Sequence, residues 1–257
     1  MKALSRRFTA FHPGSAYGNA TFPLFLLGLC LLAYGPLITR LGFYWDDFPM
    51  NWIATSMGGE GLARYFSTNR PVWGLVYRLT TALLGSQPIT WQVFALLLRW
   101  LSGLALWALL RLLWQKRGQQ FAAWAAALFV VYPGFSQQYI AFLYSHFYII
   151  LTAFLLSLAL MILALRQGFR GRWYWPLTGA ALLLSLLNLL SMEYFFLLDL
   201  LRPLLIWLVL SEAIPDRRER LKRAFLAWLP YLLLFAGVMF WRSVLFGFHT
   251  YQPALIS

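Results

Sequence analysis

Two carboxylates stand side by side in Gly42-Phe43-Tyr44-Trp45-Asp46-Asp47-Phe48-Pro49-Met50, in a chain of 257 residues that holds only eight Asp and Glu. A carboxylate that follows a long apolar run can act as a general base toward a hydroxyl. Asp47 also reads as the N-cap of a helix with Pro49 in its first turn. Adjacent residues diverge by about 100° on a helix and point to opposite faces on a strand, so one pocket does not engage both equally. The pair is expected to divide into a base and a cap or orienting group, and either aspartate fits the first role.

Other polar groups in apolar surroundings have two readings each. Arg70, in Ser67-Thr68-Asn69-Arg70-Pro71, has the planar fork that clamps a phosphate bidentately, and it equally suits pairing with a lipid headgroup. His146, after Tyr144-Ser145, is a capping or hydrogen-bonded histidine, or a contact to phosphate or hydroxyl. Glu193, in Ser191-Met192-Glu193-Tyr194, is a solvated turn residue or a functional acid between two apolar runs. Gln137 and Gln138 follow the Pro133-Gly134 break and could do no more than finish a helix end. Asp199 and Arg202, three apart, are expected to face each other as an intramembrane pair. No zinc spacing, Gly-rich phosphate loop, nucleophile elbow or internal repeat is present. Cys30, the single cysteine, allows no intrachain disulfide.

Composition identifies the medium that must position these groups. Hydrophobic residues make up 61% and charged residues 11% of the chain, against about 25% charged in a soluble domain, and the mean hydropathy is +0.66. An all-α, polytopic integral membrane protein follows. The formal charge of +13 comes from 21 Lys and Arg that fall mostly in short clusters between apolar runs. That is the pattern of positive-inside loops rather than of a groove for nucleic acid.

A bilayer core of about 30 Å takes about 20 apolar residues in a helix. The runs 22–40, 91–113, 119–136, 145–165, 173–192, 194–211 and 224–246 give about seven spans. Lys2, Arg6 and Arg7 precede the first, and no small-residue cleavage site follows it, so it reads as an uncleaved span with the N-terminus in the cytoplasm. The segment Pro71–Gly85 carries Arg78 at its centre. If it lies in the interface, the basic N-terminus and the clusters Arg111/Lys116/Arg117, Arg166/Arg170/Arg172 and Arg217–Arg223 all share the cytoplasmic side. Residues 42–90 then form one long external loop with two interfacial helices, 49–66 and 71–85, and Trp45, Trp52, Trp73 and Tyr77 at headgroup depth.

This arrangement resembles the GT-C glycosyltransferases, which include protein O-mannosyltransferases and the aminoarabinose transferase acting on lipid A. The likeness rests on the acidic external motif Tyr44-Trp45-Asp46-Asp47, on Asn69-Arg70-Pro71 opening the second loop helix, and on the basic end Arg111–Gly118. Tyr132-Pro133-Gly134 and Ser191-Met192-Glu193-Tyr194 complete it. The seven spans look like the N-terminal membrane module of that superfamily, so the likeness covers most of the chain. Such enzymes usually continue with more spans, so the chain reads as a fragment or as a minimal member.

The resemblance implies an inverting transfer of a sugar from a polyprenyl-phosphate donor to a protein, lipid or glycan acceptor on the external face, in a bacterial plasma membrane. It implies Asp46 or Asp47 as the base, Arg70, His146 and Arg242 on the donor phosphate, and Glu193, Gln138 and Tyr44 on substrate. Some members hold a divalent metal, Mg or Mn, for which Asp46, Asp47 and Glu193 are the candidate ligands. A transporter or flippase for a lipid-linked substrate, and a non-catalytic assembly subunit, are the competing readings.

Overall fold

The computed structural model describes residues 16–114, 118–132 and 137–246, and among them the chain is helical with no strand. The N-terminal basic residues, Lys116 and Arg117, the Pro133-Gly134 break and the residues after Phe246 lie outside this set. The helices are α1 (Ala16–Tyr34), α2 (Asp47–Phe66), α3 (Pro71–Leu84), α4 (Pro88–Leu113), α5 (Gln119–Val131), α6 (Ala141–Gln167), α7 (Tyr174–Ser191), α8 (Leu201–Ser211) and α9 (Arg217–Phe240). Short 3-10 turns follow α1 and precede α8, and a π turn, Trp241–Leu245, follows α9.

Local sequence explains several boundaries. Pro71 and Pro88 open α3 and α4, where a missing N–H costs no helical bond. Asp216 caps α9 by accepting the Glu219 N–H at 2.8 Å, and Glu219 in turn pairs with Arg223 one turn on. Gly58, at φ 68° and ψ −173°, breaks α2 into two pieces, a geometry that L side chains resist.

Among the described residues, five helical stretches are long and apolar enough to cross a membrane: Pro88–Leu113, Ala141–Gln167, Tyr174–Ser191, Glu193–Ser211 and Arg217–Leu245. The other two expected spans are shorter. Thr21–Leu37 is apolar but falls below that length, and α5 has 13 residues, about 20 Å of helix against a core of about 30 Å. The two loop helices expected at 49–66 and 71–85 occur at 47–66 and 71–84.

Successive helices from α4 to α9 run antiparallel. The central one, α6, packs on α4, α7 and α8. One end of the bundle, the hairpin end, carries α2 and α3 together with the first turn of α6, Glu193 and Arg242. The other end gathers Arg111, Arg166, Arg170, Arg172 and Arg217–Arg223 and is called the basic end. There Arg166 donates to the last carbonyls of α4, Leu112 and Leu113, and pairs with Glu212 at 3.1 Å.

Close helix approach depends on two glycines. A Cβ on Gly59 of α2 would sit 2.9 Å from the Arg78 carbonyl oxygen, and one on Gly74 of α3 would sit 3.0 Å from the Ala63 carbonyl oxygen. Each helix of the hairpin therefore presents a bare backbone to the other. The exposed pair Arg78–Glu60, at 3.1 Å, spans the same contact. Of the four aromatic residues expected at headgroup depth, Trp73 and Tyr77 are buried in the core beneath the hairpin, and Trp45 and Trp52 are exposed. The expected pair within the bundle is present: Arg202 donates to Asp199 at 2.6 Å and to Ser157 at 3.0 Å, and lies over the Tyr231 ring.

Candidate functional site

The adjacent aspartates separate completely. Asp47 opens α2 and is fully buried. Its carboxylate accepts the amides of Phe142 at 3.2 Å and Leu143 at 2.9 Å, which are orphan N–H groups in the first turn of α6. Asp47 is thus a cap, though of a helix 95 residues away rather than of its own. Burial pushes its carboxyl up to about 6, and the backbone amides only partly offset that.

Asp46 is exposed at the N-cap of α2 and makes no side-chain capping bond. Trp45 before it has φ 50°, a left-handed conformation that costs a bulky residue energy. Asp46 itself is in the right-handed helical region, φ −65° and ψ −15°, where adjacent side chains diverge by about 100°. Asp46 lies within electrostatic reach of the Tyr144 hydroxyl, as do Tyr139 and Tyr194. Of the two candidate bases, Asp46 is the one free to meet a substrate.

Three other expected residues meet at one point. Arg70 donates from Nε and Nη2 to the two Glu193 oxygens at 3.1 and 2.6 Å, and Arg242 reaches Glu193 Oε2 at 3.3 Å. The three side chains come from the start of α3, the turn before α8 and the end of α9. Together they carry one net positive charge, and all are partly exposed. An apolar groove of about 430 Å³ runs alongside, lined by Pro71, Leu190, Leu233, Gly237, Val238 and Trp241. Two of its lining residues, Pro71 and Trp241, are the chain neighbours of Arg70 and Arg242, whose own side chains are not part of the wall.

His146 does not join them. It is fully buried, stacked on Tyr77 with ring centroids 3.5 Å apart. Its Nδ1 faces the Phe142 carbonyl oxygen at 2.8 Å and its Nε2 the Thr80 hydroxyl at 2.8 Å. A carbonyl only accepts, so Nδ1 carries the proton and Nε2 accepts from Thr80. The expected phosphate contact is replaced by a core hydrogen bond, because α3 closes over this face of α6.

Gln138 is also largely buried. Its Oε1 accepts from Arg99 at 3.0 Å and from Tyr148 at 3.2 Å, while Arg99 also donates to the Val130 carbonyl at 2.6 Å and lies 4.3 Å from the Tyr34 ring centroid. Tyr44 packs edge-on against Tyr139 at 5.5 Å. The carboxylates of Asp46, Asp47 and Glu193 do not gather, and no group of three His, Cys, Asp or Glu converges among the described residues. Two of the three are occupied, one by amides and one by guanidinium groups.

Arg99 and Gln92 escaped the sequence reading. A signal existed for Arg99, an ionisable residue inside the run 91–113, since such residues in a span find specific partners. Gln92 had none: its role depends on where Gly42 and Tyr139 lie. No protein-family model, curated protein or solved structure matches the chain.

Proposed function

We propose that this protein transfers a sugar from a polyprenyl-phosphate donor to an acceptor hydroxyl at the hairpin end of the bundle. The observation that carries the reading is the Arg70–Glu193–Arg242 cluster beside an apolar groove whose walls include Pro71 and Trp241, the chain neighbours of the two arginines. A lipid tail fits such a groove, and a phosphate at its head meets the two guanidinium groups, whose charge suits a departing phosphate monoester. Glu193 holds both arginines in position before the donor arrives.

In this reading the acceptor oxygen attacks the anomeric carbon as the carbon–oxygen bond to phosphate breaks. The electron pair leaves with the phosphate, toward Arg70 and Arg242. Asp46 takes the acceptor proton, and the displacement inverts the anomeric centre. The hairpin end is then the external face of a bacterial plasma membrane, α2 and α3 lie in its interface, and α1 and α5 complete seven spans.

Membranes holding the protein, supplied with polyprenyl-phosphate sugars, test the reading. Transfer lost in Asp46→Asn with donor binding retained supports it, and unchanged transfer in that variant removes the base. In the competing transporter reading, Arg99 and Asp199–Arg202 serve as mobile intramembrane charges. Both groups are instead packed and hydrogen-bonded in place.

A further inference from the structure

A second cavity, of about 310 Å³, opens between the end of α1, the start of α4 and the start of α6. Its walls include Tyr34, Tyr132, Tyr139, Leu37, Gln92 and Gln138. The volume sits at the lower end of the range for small-molecule sites, which are mostly apolar with a few placed polar groups.

The two amides are fixed in orientation by neighbours that can play only one role. Gln92 Nε2 donates to the carbonyl oxygens of Gly42 at 3.3 Å and Tyr139 at 2.9 Å, so its Oε1 is the atom left over. Gln138 Oε1 accepts from the Arg99 guanidinium and the Tyr148 hydroxyl, so its Nε2 is left over. Among the described residues neither leftover atom has a hydrogen-bond partner, and neither is among the buried unsatisfied atoms. The cavity thus has one acceptor and one donor, both set in place, between tyrosine rings.

We infer that this cavity binds a pyranose ring of an uncharged saccharide acceptor. A sugar hydroxyl donates to Gln92 Oε1, another accepts from Gln138 Nε2, and the apolar ring face lies against tyrosine. Tyr139 both lines the cavity and touches Tyr44, two residues before Asp46. Tyr144, Phe147 and Tyr194 form a separate stacked series, and Tyr194 is the chain neighbour of Glu193. Asp46 is thus two residues from a ring that touches the cavity wall, and within electrostatic reach of Tyr144. That the bound sugar is the acceptor rests on the transfer reading; its binding does not.

The experiment uses the full chain in nanodiscs, with methyl glycosides of glucose, mannose, galactose and N-acetylglucosamine as probes, read by saturation-transfer NMR without any donor. Wild type should bind at least one glycoside. Gln138→Glu, which still accepts from Arg99 but has lost the donor, should bind it at least tenfold more weakly at unchanged thermal stability. Tyr34→Leu gives an independent check, with a loss of similar size expected. Failure of all four glycosides to bind, or equal binding by Gln138→Glu, overturns the inference. Glycoside binding without transfer in wild type leaves the site standing and sinks only the transfer reading.

Discussion

Arg70 and Glu193, 123 residues apart in the chain, meet fork to fork through hydrogen bonds of 3.1 and 2.6 Å. Lysine cannot reproduce two parallel bonds from one planar group. Arg70→Lys should therefore lower the rate of sugar transfer at least tenfold. A double-mutant cycle with Glu193→Gln should give a coupling of about 1–2 kcal/mol, measured by thermal unfolding in detergent. Coupling near zero would show that the pair is incidental.

Asp46 and Asp47 should differ in kind when mutated. Loss of a general base costs roughly 10²–10⁴ in rate, so Asp46→Asn should show that loss with a melting temperature close to wild type. Asp47→Ala should unfold more easily, by about 2 kcal/mol for a lost cap, with transfer per folded molecule reduced far less. Initial rates and melts on both variants separate the roles, and a reversal of the pattern exchanges them.

The Asp47 carboxyl also predicts a pH dependence. Its folded value, about 6, lies above the ordinary 3.8, so between these values the folded state holds more protons than the unfolded state. Stability from this group is fully present below about pH 4 and declines as pH rises through 6, by linkage. Asp47→Asn should flatten that part of the melting profile. An identical slope in wild type and variant would contradict the burial of an ionisable carboxyl at this position.

His146→Ala should destabilise by about 3 kcal/mol through an emptied aromatic site, while the Thr80 hydroxyl turns to the Val76 carbonyl 2.9 Å away. Donor affinity per folded molecule should not change. A specific rise in donor KM would restore His146 to the phosphate site.

Gly74→Ala should push α3 off α2, because its new methyl meets Ala63 backbone at 3.0 Å. A melting temperature lower by several degrees is expected, together with weaker transfer, since Arg70 sits at the end of the displaced helix. Gly85→Ala, where nothing lies within 4 Å, tests backbone strain at φ 68° alone and should leave transfer per folded molecule intact.

Helix positions were legible from length, apolar runs and proline: Pro71 marks the start of α3, and the Asp199–Arg202 spacing announces its own pair. Faces were not. In a chain apolar on nearly every side, periodicity does not tell which side meets lipid and which meets protein. Trp73 and Tyr77 accordingly read as residues of headgroup depth, with no sign that they pack with His146 in one buried cluster. The Asp47 bond to α6 and the Gln138 bond to Arg99 join segments far apart in sequence, and local pattern carries no record of such distances. Arg70 and Glu193 were named from sequence as polar groups in apolar surroundings, and Arg242 through the family resemblance; their meeting was not foreseeable.

Asp47 gives the fold a mechanical property. Through its carboxylate the segment carrying Asp46 is fastened to the top of α6, a rod of 27 residues and about 40 Å, whose foot is clamped by Arg166 to the end of α4. A tilt of that rod carries Asp46 with it. The hairpin end and the basic end of the bundle are thus tied to opposite ends of one helix.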